Sequence, residues 1–392
     1  MSIIPYGKHY IDQDDIKNVI KVLKSNNLTQ GPIIDIFEKK FASYVGARYA
    51  VAVSSCTAGL HISYLALGLN QDNKLLTTPI TFVSTANAAF YCNSEPLFVD
   101  ISNDDLNINK YDLKNKIKRN KKIKIVTPVH FGGKPCDMKQ IKKIYKLNKN
   151  IKIVEDAAHA LGARYEDGSM VGNCKYSDAT VFSMHPVKII ASGEGGVITT
   201  NNYNIYKKLI RLRSHGINKR DDKYINEKNA KTQNRLNPWY YEMQDIGFHY
   251  RITDIQIALA LSQLKKINKF LHKRKKIAKI YDNAFKKIEY ITIGQPEKET
   301  SSHHLYIIRI DFKKLKKTRA ELMDYLKKKN IITQVHYIPV TNHPFYSIKK
   351  YKSNDYPKSL KYYDEALSLP IYYTLTDKQQ KFVIKNLLNF FK

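Results

Sequence analysis

The stretch FSMHPVKIIASGEGGVITT, residues 182–200, joins two short apolar runs through a turn. Ser183 ends the first run, Lys188 lies on the turn, and the glycines that follow allow close backbone packing. A lysine in a Lys-rich chain is normally a solvated surface charge. Because Lys188 lies between an apolar run and a glycine turn, we predict that it is held near a sheet, where partial burial lowers the pKa of an amine and permits Schiff-base formation.

The run that ends at Ser183 is one of a series with the length of buried strands. The series occupies residues 49–55, 75–80, 95–101, 123–131, 151–155, 179–184 and 196–200, and helical patterns occupy 12–24, 33–45 and 56–69. Alternating strands and helices predict an α/β fold with a mostly parallel central sheet.

The pattern changes near residue 253. A long helix over 253–285 leads away from the large domain, and strands at 305–311 and 331–337 with helices at 318–329 and 376–391 are typical of a smaller α+β domain. We therefore expect a large domain over residues 1–255 and a small domain over 256–392. Residues 218–236 are polar and aperiodic, which predicts a mobile loop.

The net charge is +31, from 66 Lys+Arg against 35 Asp+Glu in 392 residues, and it raises the question of nucleic-acid binding. However, most of the basic residues are lysines scattered along candidate helix faces and loops, in tracts such as 265–276. No zinc finger, basic zipper or RNP-type aromatic motif is present. We therefore expect no nucleic-acid partner, although the charge would help to recruit an anionic substrate.

The sequence also indicates the compartment. It contains no apolar run of about 18 residues and begins without a signal-peptide pattern, so we expect no membrane partner. The four cysteines are widely spaced, which favours reduced thiols over disulfides or a zinc site. These features predict a cytoplasmic protein with no metal site.

The motif SSCTAGLH, residues 54–61, places small hydroxyl residues where a strand turns into a helix. Amides at a helix start can bind a phosphate, with Thr57 and the Ala58 amide as the best candidates. The commoner interpretation of Ser and Thr at a helix start is an ordinary helix cap.

The motif VEDAAHALGA, residues 154–163, puts two acids after an apolar strand. Because side chains alternate along a strand, Glu155 and Asp156 face opposite sides, and one of them can point at a ligand. The alternative is a cap on the following turn, with His159 as a structural histidine.

The motif TTPITFVSTANAAF, residues 77–90, places Phe82 on a loop after a strand. Its ring is positioned to stack on a flat cofactor, although a core phenylalanine is the commoner reading.

Taken together, these four motifs resemble the DegT/StrS family of nucleotide-sugar aminotransferases, which depend on pyridoxal 5′-phosphate. The resemblance extends over nearly the whole chain and includes IDQDDI, LTQGP, LRSHGI and YRITDIQIALALSQL. It implies the fold type I aminotransferase architecture and a homodimer with active sites shared between subunits.

Within that family, segments such as IPYGKHYID, PVHFGGKPCDM and QVHYIPV are most similar to enzymes of pseudaminic acid biosynthesis. The resemblance implies L-glutamate as amino donor and a UDP-linked 4-keto-6-deoxy-N-acetylhexosamine as acceptor. The nearest alternative is a dTDP- or GDP-linked sugar aminated at C3 or C4. A dehydratase of the same family has His at the Lys188 position, and a DNA-binding regulator would need a helix-turn-helix that is not seen before the cofactor domain.

The resemblance also implies residue roles. Lys188 and Asp156 are the catalytic pair: Lys188 binds the cofactor as a Schiff base and carries a proton, and Asp156 pairs with the ring nitrogen. His159 lies near the phenolic oxygen of the cofactor and Phe82 stacks on its ring. The implied phosphate contacts are Ser183, Thr57 and Ala58.

One residue departs from the family pattern. Many members read G-[YF]-N-Y-R where this chain reads GFHYR, so His249 replaces an Asn that reaches the neighbouring subunit's cofactor phosphate, and Arg251 is a second candidate. The implied substrate-pocket residues are Tyr6, Thr29, His185, His215, His336 and Tyr337.

Overall fold

The computed structural model describes residues 2–145, 150–218, 223–296 and 298–392. Its helices are α1 (Gln13–Leu23), α2 (Pro32–Val45), α3 (Cys56–Ala66), α4 (Ser84–Tyr91), α5 (Lys110–Arg119), α6 (Met138–Tyr145), α7 (Tyr203–Arg213), α8 (Glu227–Ala230), α9 (Asp254–Phe285), α10 (Phe312–Leu315), α11 (Arg319–Lys328), α12 (Pro344–Ile348), α13 (Pro357–Glu365) and α14 (Asp377–Phe391), with short 3₁₀ turns at Phe131–Gly133, Val340–Asn342 and Ser353–Asp355.

The strands are β1 (Tyr49–Val53), β2 (Lys74–Thr77), β3 (Glu95–Phe98), β4 (Ile123–Val126), β5 (Lys152–Asp156), β6 (Ala179–Ser183), β7 (Gly196–Thr200), β8 (Ile217–Asn218), β9 (Lys231–Thr232), β10 (Arg235–Leu236), β11 (Glu242–Met243), β12 (Ile291–Ile293), β13 (Tyr306–Ile310) and β14 (Ala366–Leu369).

The central sheet confirms the predicted α/β architecture. Its strand order is β1-β7-β6-β5-β4-β2-β3, and pairing is parallel except on both sides of β7, which runs antiparallel to β1 and to β6. Helix α3 packs directly on this sheet because Gly59 has no side chain; a Cβ there would lie 2.8 Å from Cγ1 of Val181. That contact fixes where the first turn of α3 meets the strand ends.

Helix α9 connects two hydrophobic cores. Its first half packs Ile257 and Leu264 into the core around the central sheet, and its second half packs Ile277 and Phe285 into a separate core. This second core surrounds a three-stranded antiparallel sheet of order β12-β13-β14 and also contains Ile4 from the N-terminal segment. The domain boundary at residues 255 and 256 stays a prediction.

Two local predictions need correction. The expected strand at 331–337 is wrong: Ile331 forms an isolated bridge to Ile4 and Gln334 one to Ser368, so this segment pairs with two different partners and forms no continuous ladder. Within the expected loop at 218–236, the described part contains helix α8 and the two-residue strands β9 and β10, while residues 219–222 lie outside the described residues.

Each helix in the described ranges is too short or too polar to cross a bilayer.

Candidate active site

The predicted chemistry-bearing segments meet at one edge of the central sheet. Gly196, the first residue of β7, pairs with Val53 at the end of β1 and with Ser183 at the end of β6. Asp156 ends the neighbouring strand β5 opposite Val181. Open α/β sheets bind ligands at the carboxyl ends of their parallel strands, and this edge is therefore the candidate site.

Asp156 is buried and fixed by two donors. Its Oδ2 accepts a hydrogen bond from Oγ1 of Thr85 at 2.6 Å, and its Oδ1 accepts one from the Ala158 amide at 3.1 Å. Thr85 is in turn 2.7 Å from Oγ1 of Thr81. Each carboxylate oxygen has a second lone pair, so Asp156 is held in place yet can still accept from a protonated nitrogen in the site.

Glu155 points to the opposite side of β5, as strand alternation predicts. Its carboxylate is fully buried and accepts hydrogen bonds from His130 Nε2 at 2.7 Å, from the Tyr165 hydroxyl at 2.5 Å and from Oγ1 of Thr180 at 3.0 Å, as well as from Ser177. Burial opposes ionisation, yet these donors, His130 foremost, hold the pKa of Glu155 below its ordinary value. Glu155 therefore fixes the end of β5, the strand that also contains Asp156.

Lys188 lies on the turn after β6, where its amide donates to the His185 carbonyl at 2.8 Å. Its side chain is partly buried, and this burial lowers the pKa of the amine to about 8, although the nearby Cys56 and Asp156 oppose the shift. An amine with this pKa is partly neutral near pH 8, as a nucleophile or proton carrier must be.

The start of α3 has the properties of a phosphate site. The Ser55 hydroxyl caps the helix and accepts a hydrogen bond from the Ala58 amide at 3.1 Å. Because this amide already has an acceptor, a phosphate contact at Ala58 stays a prediction. The amides of Cys56 and Thr57 have no acceptor within the described part of the chain. A Cβ on Gly196 would lie 2.7 Å from the Cys56 nitrogen, so only glycine lets β7 approach these amides.

His159 is buried and its tautomer is fixed. Its Nδ1 accepts from the Gly132 amide at 3.3 Å, so the neutral ring carries its proton on Nε2, which lies 3.0 Å from the Tyr337 hydroxyl. Burial, reinforced by the Lys188 charge, holds the pKa of His159 well below its ordinary value. The ring of His304 lies beside it, with centroids 4.4 Å apart.

Phe82 is exposed, with 56% of its surface open to solvent, rather than a core residue. Its ring centroid is 6.0 Å from that of Tyr337. Phe82 is therefore not part of the core, and its stacking on a planar cofactor stays a prediction.

The predicted substrate residues fall into two groups. Tyr6 and His336 are together, with ring centroids 5.3 Å apart; Nδ1 of His336 is 2.8 Å from the Ser368 hydroxyl, and burial lowers its pKa to about 3. Tyr337 joins this group, because its ring centroid lies 5.0 Å from that of His336. The other three, Thr29, His185 and His215, are solvent-exposed.

His249 and Arg251 flank Tyr250, which contacts the residue just after β1. Tyr250 accepts a hydrogen bond from the Ser54 amide at 2.9 Å, and His249 bridges to Ser214. The His249 side chain is exposed. A role for these two residues across a subunit interface stays a prediction.

Three residues at this site were missed from sequence. Thr85 lies inside the motif that contains Phe82, and its spacing from Asp156 gives no signal. His304 and Arg274 lie after residue 255, far from the four motifs in sequence. Arg274 is part of the basic tract 265–276, whose composition is typical of a solvated helix face. Only the folded chain brings them beside Lys188.

Comparison with known proteins agrees with this geometry. The family described as DegT/DnrJ/EryC1/StrS aminotransferase matches residues 9–388. Spore coat polysaccharide biosynthesis protein SpsC of Bacillus subtilis is 37% identical over 97% of this chain and 95% of its own length. The UDP-4-amino-4,6-dideoxy-N-acetyl-beta-L-altrosamine transaminase of Campylobacter jejuni is 37% identical over 97% of this chain and 96% of its own.

A solved structure has the same fold. Helicobacter pylori PseC, an aminotransferase involved in the biosynthesis of pseudoaminic acid, superposes with a TM-score of 0.89 at 30% identity, over 100% of this chain and 99% of that chain. Because the TM-score and the coverage are both high, the fold of an aminotransferase of this kind applies to the whole chain.

Proposed function

The chain belongs to the DegT/DnrJ/EryC1/StrS aminotransferase family, and on that premise we propose that it transfers the amino group of L-glutamate to C4 of a UDP-linked 4-keto-6-deoxy-N-acetylhexosamine. The product is UDP-4-amino-4,6-dideoxy-N-acetyl-β-L-altrosamine, in pseudaminic acid biosynthesis. The observation that carries the choice of sugar is the similarity, over 97% of the chain, to the C. jejuni transaminase of that name.

Pyridoxal 5′-phosphate is the cofactor of this family, and the residues at the sheet edge fit it. The amides at the start of α3 would hold its phosphate, with the Ser183 hydroxyl as a further contact. Phe82 would stack on its ring and Asp156 would keep the ring nitrogen protonated. When bound, the cofactor supplies an electron sink for the pair left by a broken C–H bond.

Lys188 is the residue that moves the proton. In the first half-reaction its amine takes the proton from the α carbon of L-glutamate. The donor, having given up its amino group, then leaves as 2-oxoglutarate. In the second half-reaction a proton is delivered to C4 of the sugar, so one amino group is exchanged for one carbonyl oxygen and no external oxidant is needed. The pKa of about 8 matches this two-way role near neutral pH.

The runner-up is the same chemistry on a dTDP- or GDP-linked sugar with a C3 or C4 ketone. SpsC, a spore coat polysaccharide biosynthesis protein, is as similar to this chain as the C. jejuni transaminase is, so overall identity does not select one sugar. The two functions differ in which nucleotide and which carbon the pocket selects.

We further propose a cytoplasmic homodimer whose subunits complete each other's sites. The segment that precedes His249 in the chain exposes several apolar side chains, including Trp239 at 74%, Met243 at 67% and Ile246 at 81%. Exposed apolar side chains of this size are typical of interaction surfaces when they adjoin one another, which is the arrangement we propose here. A partner seated here would bring His249 and Arg251 of each subunit toward the neighbouring site.

The test uses purified protein loaded with pyridoxal phosphate. L-glutamate and the UDP-4-keto sugar are added, and 2-oxoglutarate and the amino sugar are measured by mass spectrometry beside dTDP- and GDP-linked 3- and 4-keto sugars. We expect amination of the UDP sugar at C4 and its loss in Lys188→Ala. Lys175→Ala is the matched control, because Lys175 pairs with Asp167 at the surface.

The outcomes separate the two functions. Faster turnover of a dTDP- or GDP-linked sugar would move the assignment to the runner-up. Turnover that survives in Lys188→Ala would reject the proposed mechanism itself.

A further inference from the structure

Arg274 has a buried guanidinium group that no carboxylate of the described residues pairs with. It lies in α9, is 3% exposed, and donates from Nη1 to the carbonyls of His303 at 3.3 Å, His304 at 3.1 Å and Ile371 at 3.0 Å. No acidic side chain in the described ranges forms an ion pair with it. A buried charge normally has a partner of opposite sign, and burial lowers the pKa of Arg274 to about 10.

Within the part of the chain that the structure describes, one nitrogen of this guanidinium donates hydrogen bonds. All three of its hydrogen bonds start at Nη1, and none of the described residues accepts from Nε or Nη2. Nε and Nη2 form one edge of the planar group, and that edge has the spacing of the two oxygens of a carboxylate. The three carbonyls hold Arg274 rigidly, so the free edge has a fixed direction.

Arg274 and Lys188 line the same narrow cleft. Its other walls come from the N-terminal segment, including the exposed Lys8, and from Tyr373. None of the residues that line the cleft is acidic, whereas Lys8, Lys188 and Arg274 are basic. The cleft therefore has an excess of positive charge beside the proposed proton carrier, and this charge favours an anionic ligand.

We propose that the Nε–Nη2 edge of Arg274 binds the α-carboxylate of the amino donor. This inference rests on the proposed function, because the amino acid must place its α carbon at Lys188. The α-carboxylate is bonded to that carbon and must therefore lie close to the Lys188 amine. The diphosphate of a nucleotide sugar is attached at C1, across the sugar ring from the reacting C4, and so lies farther from Lys188.

The proposal also explains how one site serves two substrates in turn. The keto sugar has no carboxylate at its reacting carbon, so it does not use the Arg274 edge. L-glutamate does use it, and 2-oxoglutarate carries the same carboxylate in the reverse direction. Arg274 would thus determine affinity for the donor and leave affinity for the sugar unchanged.

The test measures binding as well as turnover. Glutarate has the carboxylates of the donor and no amine to react, so its dissociation constant is measured calorimetrically on the pyridoxal phosphate-loaded protein. We expect Arg274→Lys to weaken glutarate binding about 10- to 100-fold, the loss expected when a charge-assisted bidentate contact is removed. The half-saturating concentration of L-glutamate should rise equally, while that of the UDP-amino sugar in the reverse half-reaction is unchanged.

Arg309→Lys is the matched control, because Arg309 pairs with Glu365 at 2.6 Å in the second core region and does not line the cleft. Unchanged glutarate affinity in a folded Arg274→Lys protein would overturn the proposal. If that variant does not fold, two measurements decide: Lys8→Gln should weaken glutarate binding, and UDP should fail to displace glutarate from the unmodified protein. Displacement by UDP would identify a diphosphate site instead.

The proposed function can fail separately. If glutarate binding depends on Arg274 but no UDP-4-keto sugar is aminated, the donor site at Arg274 is supported and the proposed acceptor is rejected. If the UDP sugar is aminated and glutarate binding is indifferent to Arg274 and Lys8, the donor site falls and the function stands.

Discussion

His159 donates a hydrogen bond from Nε2 to the hydroxyl oxygen of Tyr337, 3.0 Å away, and not the reverse. The direction is fixed because the Gly132 amide occupies Nδ1, which leaves the proton of the neutral ring on Nε2. The Tyr337 hydroxyl therefore keeps its own proton for another acceptor. Burial raises the pKa of Tyr337, so this proton is present at neutral pH.

Tyr337→Phe should therefore reduce turnover about 100-fold, the lower end of the usual contribution of a positioned proton donor. The fold should be retained, because the ring contacts with Phe82 and Phe131 do not involve the hydroxyl. Steady-state kinetics with L-glutamate and the keto sugar measures the effect. Tyr176→Phe is the control, since Tyr176 contacts Asp167 at the surface; equal activity in both variants would exclude Tyr337 as a donor.

Asp156→Asn and Glu155→Gln should separate chemistry from stability. Asp156→Asn removes the negative charge at the site and should lower turnover by about 100-fold or more, with little change in unfolding. Glu155→Gln leaves buried donors without an acceptor and should cost about 1–3 kcal/mol in the free energy of unfolding, with turnover per folded molecule retained.

The pH dependence of Glu155 has a definite sign. Its folded pKa is lowered, so the ionised carboxylate stabilises the fold above the ordinary carboxyl pKa, and this stabilisation is lost as the pH falls through the folded pKa. Urea unfolding of the protein and of Glu155→Gln should therefore converge in acid. A stability difference that is constant with pH would contradict this assignment.

Much of this site could be predicted from local sequence because its residues lie at, or just after, the ends of predicted strands. Asp156, Ser183 and the start of α3 each come within a few residues of an apolar run, so the strand ends bring them together. Strand direction could not be predicted. β7 runs antiparallel to β1 and β6, yet its apolar run has the same pattern as those of the parallel strands.

Long-range contacts explain the rest. Arg274 is surrounded by lysines in sequence, and its burial depends on carbonyls about 30 and about 100 residues away, at His304 and Ile371. The segment 331–337 has the composition of a strand, but its bridges go to Ile4 and to Ser368, which local pattern does not reveal. The His159 tautomer likewise depends on the Gly132 amide from a different strand end.

Lys188→Met should stabilise the cofactor-free protein at neutral pH. The pKa of Lys188 is about 8 in the folded protein against an ordinary 10.5. Below pH 8 the folded protein therefore contains a partly buried charge, which lowers its stability. Between pH 8 and 10.5 the unfolded chain binds the extra proton, so the stability of the unmodified protein rises with pH and the advantage of Lys188→Met shrinks.

Thermal melts of the two cofactor-free proteins from pH 6.5 to 10 measure this difference. The same variant should abolish covalent attachment of pyridoxal phosphate, read from visible absorbance. A melting difference that grows above pH 8 would reverse the assigned sign. Lys175→Met, at an exposed ion pair, controls for the loss of a lysine elsewhere.

Gly196→Ala tests whether the start of α3 holds the cofactor phosphate. The added Cβ would lie 2.7 Å from the Cys56 nitrogen and from the backbone of Ser55, and backbone atoms in a sheet and a helix start cannot move apart freely. We expect a loss of about 1–3 kcal/mol in stability. Because the displaced amides are those without an acceptor among the described residues, affinity for pyridoxal phosphate should fall as well.

Absorbance titration of the cofactor-free protein with pyridoxal phosphate measures that affinity, and urea unfolding measures the stability. Gly168→Ala is the control, because nothing lies within 4 Å of its Cβ position and its positive φ of 80° costs strain far from the site. Both variants should therefore lose stability, whereas only Gly196→Ala should lose cofactor affinity. Equal cofactor affinity in the two variants would place the phosphate elsewhere than at the Cys56 and Thr57 amides.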